Sequence, residues 1–127
     1  HRSNFFMALK TRQSEVIKNK FLEFLLDKYR LGQKVIGYGA AAKANTLINY
    51  AGVKPDLLMC IIDNSKLKTE RYTPGSHIPV VSSSYLSSFD SPQNIVIFPW
   101  NIQDEILRLI PDMHNVYVVF PEIKKLR

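Results

Sequence analysis

Cysteine is nearly absent from this chain. Cys60 is the only one in 127 residues, so no internal disulfide can form, and inside an apolar run the thiol reads as a small buried hydrophobe. A reducing, cytoplasmic setting is the expectation. Histidine is scarce too. His77 and His114 stand far apart, and no pair of Cys or His has zinc-ligand spacing, so no metal is expected here. No apolar run approaches the roughly 20 residues that span a bilayer, which excludes a membrane helix. The first residues lack the charged, apolar and small succession of a signal peptide. Acids are the minority, 11 against 17 Lys and Arg, for a net charge of +6. Residues 1–34 hold eight basic and three acidic side chains, so a surplus of five lies there and a surplus of one in the rest. Nucleic-acid binding would interleave such charges with exposed aromatics. Here the helical aromatics fall with the apolar positions, and nucleic acid is not an expected partner.

Glycine is also sparing, five in all, yet two of them stand close together in Val35-Ile-Gly37-Tyr38-Gly39-Ala40-Ala-Ala42-Lys43-Ala44-Asn45-Thr46. A short buried strand, Val35 to Gly37, meets a tight turn, and a helix begins near Ala41 or Ala42. Glycine bends the backbone without placing a side chain between it and a ligand. The first N–H groups of the helix have no partner within it and favour an anion. Lys43 adds charge, and Asn45 and Thr46 add short polar groups. Asp63, some 24 residues after Gly39, stands where a dinucleotide-binding unit places an acid on a ribose hydroxyl. The plainer alternative is a glycine turn packing a helix on a strand, with Asp63 capping a loop.

The length suits one domain with a real core. Residues 4–13 are mixed, with Phe5, Phe6, Met7 and Leu9 apolar. The clearest helix is 14–30, with Ser14 as N-cap, Phe21, Leu25 and their neighbours at helical spacing, and Gly32 ending it. Residues 1–31 are therefore set apart as an N-terminal helix and 32–127 as an α/β domain. The run from Leu57 to Ile62 reads as a central parallel strand. A long polar connection follows, with Lys66, Lys68, Arg71, Tyr72 and His77 around Thr73-Pro74-Gly75. It is too long to be an idle link, and guanidinium, ammonium and phenol groups suit phosphate and sugar oxygens. Pro79 marks the segment 78–81 as an edge or a non-strand. A serine-capped short helix, a strand 94–98, a helix 102–110 capped by Asn101, a strand 115–120 and a basic tail complete the chain. Trp100 would be a flat wall for a ring, or simple packing. The alternation predicts a Rossmann-like open, mostly parallel sheet flanked by helices, with its strand order reversing beside the first strand.

Three stretches together carry a resemblance. Residues 35–50 are similar to the signature GYGAAAKGNTLLNY, residues 63–80 to a substrate-loop segment ending in PGTHIPI, and Pro99-Trp100-Asn101 to a PWN turn. The chain resembles, from about residue 15 to 120, the C-terminal domain of S-adenosylmethionine-dependent C-methyltransferases acting on deoxysugars attached to a nucleoside diphosphate. The resemblance implies a longer parent with a zinc-binding segment and an S-adenosylmethionine-binding domain ahead of this one. The opening His1-Arg2-Ser3, without an initiator Met, agrees with such a piece. It implies a Rossmann-like domain that binds no cofactor itself, is inactive alone, and holds the nucleotide sugar. Gly37, Tyr38, Gly39, Ala40, Lys43, Asn45 and Thr46 would line a phosphate turn. Lys68, Arg71, Tyr72, Pro74, Gly75 and His77 would form a substrate loop, and Trp100 and Asn101 a cleft wall. No catalytic residue is implied, since the general base would come from the preceding domain. Ser65, Leu67, Glu70 and Ala44 depart from the pattern. Two alternatives stay open: a stand-alone NAD- or CoA-type nucleotide module using Asp63, and a structural domain whose N-terminal helix, with Phe21, is a docking or homodimer surface.

Overall fold

Thr11 starts the first helix among the described residues, α1 (Arg12–Arg30), three residues before the expected cap. Its hydroxyl accepts from Ser14 N at 3.3 Å, and the Ser14 hydroxyl donates back to the Thr11 carbonyl at 2.7 Å. Ser14 thus completes a reciprocal cap instead of being the cap. At the other end Gly32 takes φ 72°. Gln33 N donates to Lys28 O at 2.9 Å and Gly32 N to Tyr29 O at 3.0 Å, the paired bonds of a Schellman ending. Phe21 and Leu25 are fully buried on this helix, so Phe21 is core of the domain itself and not the dimer surface one alternative assigned to it.

The computed structural model describes residues 11–65, 68–69 and 71–127. The readings made at Phe5, Phe6, Met7, Leu9, Lys66, Leu67 and Glu70 lie outside them. After α1 come β1 (Val35–Tyr38), α2 (Ala42–Ala51), β2 (Cys60–Ile62), β3 (Arg71–Tyr72), β4 (Pro79–Val81), a 3-10 helix (Ser83–Ser88), β5 (Asn94–Ile97), a 3-10 turn (Trp100–Ile102), α3 (Gln103–Leu109), β6 (Asn115–Val118) and β7 (Lys124–Lys125). The sheet order is β3-β4-β2-β1-β5-β6-β7. Its five inner strands run parallel, and β3 and β7 close the edges antiparallel. The fold is α/β, and β1 sits between β2 and β5, where the strand order reverses.

Alternation along the inner strands sorts the core onto two faces. Val35, Ile61 and Val96 join Phe21, Leu25, Leu47, Ile48 and Phe98 on one. Ile36, Cys60, Ile62, Ile95 and Ile97 join Leu86, Ile106 and Ile110 on the other. Parallel strands covered on both sides are apolar at every position for this reason. Burial pushes the Cys60 thiol up to about 12, so it stays protonated. Among the described residues no helix is long and apolar enough to cross a membrane.

Several boundaries differ from expectation. β2 begins at Cys60, because Leu57 N and Leu58 N both donate to Lys54 O and close a turn. β4 lies inside the sheet. Its proline is the first residue of the strand, where the ladder can spare an N–H, and β3 from the polar loop takes the edge. Asn101 caps nothing, since a 3-10 turn over Trp100–Ile102 leads into α3. Ser82 precedes its 3-10 helix without a side-chain cap bond. The basic tail forms β7, and the Arg127 guanidinium seals it by donating to the carbonyls of Ile110 at 3.2 Å and Pro111 at 2.9 Å.

His114 is 2% exposed, and its Nδ1 accepts from Gln93 N at 3.0 Å. Burial first, and then the charge of Arg127, hold its pKa below the ordinary value, with the Leu86 backbone acting in the opposite sense from outside hydrogen-bond geometry. Below about pH 6.5 the unfolded chain takes up a proton that the folded chain refuses. Stability is therefore expected to fall as pH drops from about 6.5 toward the depressed folded pKa, and to level off in this term below it. Urea unfolding of wild type and His114→Gln between pH 7 and pH 5 checks this: the variant should show the shallower slope.

Candidate functional site

The C-terminal ends of β1, β2 and β5 meet at the point of order reversal, where open α/β sheets form their crevice. Gly39 turns the chain there with φ 96°, and its N–H donates to Ile62 O at 2.7 Å. A Cβ at Gly39 would lie 2.5 Å from the Pro99 ring. Gly37 lies within β1, and a Cβ on it would meet the Phe98 ring at 2.7 Å. Both glycines are thus demanded by packing between β1 and β5. Tyr38 is buried in the second core face, and its pKa is raised, by burial first and by the Asp63 carboxylate second. Neither Gly37 nor Tyr38 lines an open turn.

Ala40 is gripped from two sides by the connection after β2. Asp63 Oδ2 accepts its N–H at 2.9 Å, and Lys68 Nζ donates to its carbonyl at 3.0 Å. The other Asp63 oxygen accepts from Ser65 N at 2.8 Å. Asp63 therefore ties turn to loop. Lys43 is exposed in the first turn of α2, where no side chain caps the helix. Thr46 turns its hydroxyl back to Ala42 O at 2.9 Å.

Of the expected site residues, Ala40, Asn45, Lys68, Arg71, Tyr72 and Pro74 come together in one cleft of about 210 Å³, with Thr73 and Val80. Its described lining holds two cations and no carboxylate. Among the described residues neither Lys68 nor Arg71 forms an ion pair. The Asn45 amide oxygen is buried without a hydrogen-bond partner. His77 stacks on Tyr72, with ring centroids 4.1 Å apart and planes 3° apart. Gly75, at φ 79°, packs on Asn49. Trp100 and Asn101 line a separate depression beside Asp104, Glu105 and Arg108. A further depression at the N-terminal ends of β1 and β5 touches Gln33, Lys34 and Asn94. There the Asn94 amide already donates to Gln33 Oε1 at 3.0 Å.

The amino-acid sequence matches the family described as C-methyltransferase C-terminal domain over residues 2–120. The chain belongs to this family. A comparison with curated proteins returned no match. In this C-methyltransferase C-terminal domain the basic cleft is held by residues that motif reading did not single out. Asn49 Nδ2 donates to Pro74 O at 3.0 Å and Lys54 Nζ to Gly75 O at 3.0 Å, pinning the β3–β4 hairpin onto α2. The Thr73 and Ser76 hydroxyls pair inside the hairpin, and Thr73 Oγ1 also accepts from Ile78 N at 2.9 Å. Thr73-Pro-Gly-Ser76 carried that signal as turn chemistry. Asn49 falls within the 35–50 signature, which does not disclose its partner, and Lys54 carried no signal; their partners lie 25 and 21 residues away.

Proposed function

We propose that this domain holds the substrate of a C-methyltransferase, a nucleoside diphosphate sugar, with its diphosphate on Lys68 and Arg71. The observation that carries the reading is a cleft with two cations, neither ion-paired among the described residues, and no carboxylate in its described lining. Charge-assisted bonds from ammonium and guanidinium to phosphate oxygens are roughly twice as strong as neutral ones, and the guanidinium can grip two oxygens at once. Asp63 acts here by fixing Ala40 and the loop. A nucleotide module that put Asp63 on a ribose would compete with the two backbone N–H groups it already accepts. The Asp63 bonds, with Pro99 packed on Gly39, support a positioning role for the turn over an adenosine-cofactor seat. S-adenosylmethionine, any zinc and the general base are then supplied by other domains of a longer cytoplasmic protein, and this domain alone transfers no methyl group.

Thermal shift of this chain with dTDP, a dTDP-sugar, UDP, NAD and S-adenosylmethionine tests the reading. Ligand at about a hundred times its dissociation constant stabilises the fold by about 2.7 kcal/mol. A shift with dTDP and its sugar is expected. Arg71→Ala should weaken that binding about tenfold or more, as loss of a charged hydrogen bond does, while the unliganded melting point stays. A shift with NAD or S-adenosylmethionine alone, or unchanged affinity in Arg71→Ala, sinks it.

A further inference from the structure

The cleft is smaller than the roughly 300–1,000 Å³ that encloses a whole drug-sized ligand, so it takes one moiety of a nucleotide sugar. One feature of its wall does not suit phosphate. Tyr72 is 56% exposed, and its ring lines the cleft while His77, which does not line it, lies parallel to it at 4.1 Å. His77 is the only described non-glycine residue with positive φ, at 58°. That conformation is unfavourable for a side chain with a Cβ, and such outliers persist only where the surroundings hold them. Here the hairpin does so. His77 N donates to Thr73 O at 3.0 Å and Thr73 N to Ile78 O at 2.9 Å, and Asn49 and Lys54 fasten the tip. The result is a two-ring stack on a pinned hairpin.

We infer that the cleft seats the nucleobase flat against Tyr72, with His77 as the positioning residue behind the ring. Lys68 and Arg71 then meet the diphosphate beside it. This rests on the reading above and adds which end of the nucleotide the cleft selects. Stacking on an aromatic side chain favours a base over none by about fivefold or more.

The test is the ratio of affinities for dTDP and for inorganic pyrophosphate, measured by calorimetry on the whole chain. A general loss of stability does not move that ratio. dTDP should bind at least about tenfold tighter, Tyr72→Ala and His77→Asn should shrink the ratio, and Tyr72→Phe should keep it. dTDP should also bind several-fold tighter to the wild type than the abasic deoxyribose 5′-diphosphate, a comparison that stands even where Tyr72→Ala does not fold. A ratio near one, or equal wild-type binding of dTDP and the abasic diphosphate, overturns the base assignment and leaves the anion reading intact. Binding of neither dTDP nor pyrophosphate overturns both.

Discussion

Phe21→Ala is expected to lower the unfolding free energy by about 3–5 kcal/mol, the range for deleting a buried aromatic ring. The side chain is 0% exposed, and its ring meets Phe98 edge-on, with centroids 5.9 Å apart and planes at 81°. Alanine would leave a cavity between α1 and the sheet, and the edge-to-face contact, worth about 0.5–1.5 kcal/mol beyond area, would go with it. Phe98 also occupies the space over Gly37, so a loosened Phe98 ring touches the β1–β5 seam. The loss is a large share of a stability of about 5–15 kcal/mol. Urea unfolding at constant pH checks it, with Phe21→Leu as the smaller change. A loss under about 1 kcal/mol would mean α1 is not part of this core. Phe21→Lys should unfold the chain and not merely dissociate a dimer.

Central elements were legible because several signals coincide in them. β1, β5 and β6 are apolar on both faces and bounded by turn residues, and α1 and α2 carry helical periodicity with glycine after the last turn. The order reversal beside β1 follows from the alternation of strands and helices. The edges were not legible. β3 is Arg71-Tyr72 and β7 is Lys124-Lys125, both exposed, and two exposed residues have no period to read. The six-residue apolar run from Leu57 overstated β2, since hydrophobicity registers burial and not pairing: Leu58 is fully buried from a turn.

The site divides the same way. The polar loop stood out by its length and chemistry, and Lys68, Arg71, Tyr72 and Pro74 do share a cleft with Ala40 and Asn45. The glycine turn signalled two things at once. Gly37 and Gly39 are required by Phe98 and Pro99, and a fingerprint cannot tell a space kept for a ligand from one filled by a neighbouring strand. The placement of Trp100 away from the cleft depends on the 3-10 turn after β5, which no local pattern announced.

Gly39→Ala is expected to be nearly as costly, for a different reason. At φ 96° an L side chain is strained whatever space surrounds it, by about 1–2 kcal/mol for a simple left-handed residue. Its Cβ would also lie 2.5 Å from Pro99 Cδ and 2.8 Å from Pro99 Cγ. A proline ring cannot swing aside as a flexible side-chain tip would, so the turn or the end of β5 must move, at about 1–3 kcal/mol for overpacking. The sum is about 2–5 kcal/mol. At roughly 3–5 °C per kcal/mol for a domain of this size, the melting point should fall by about 6–25 °C. Gly37→Ala separates the two causes. Its backbone carries no positive φ, and its Cβ would meet only side-chain atoms, Phe98 Cε2 at 2.7 Å and Ile61 Cγ1 at 3.2 Å, so its loss should be the smaller. The turn variant should reach function as well. Ala40 follows Gly39 and is held by Asp63 on one side and Lys68 on the other, so a displaced turn moves the Lys68 cation that we propose meets the diphosphate. Gly39→Ala should therefore weaken dTDP binding even at temperatures where the chain stays folded, and Gly37→Ala should not. Equal losses of affinity in the two variants would mean that the turn does not position Lys68.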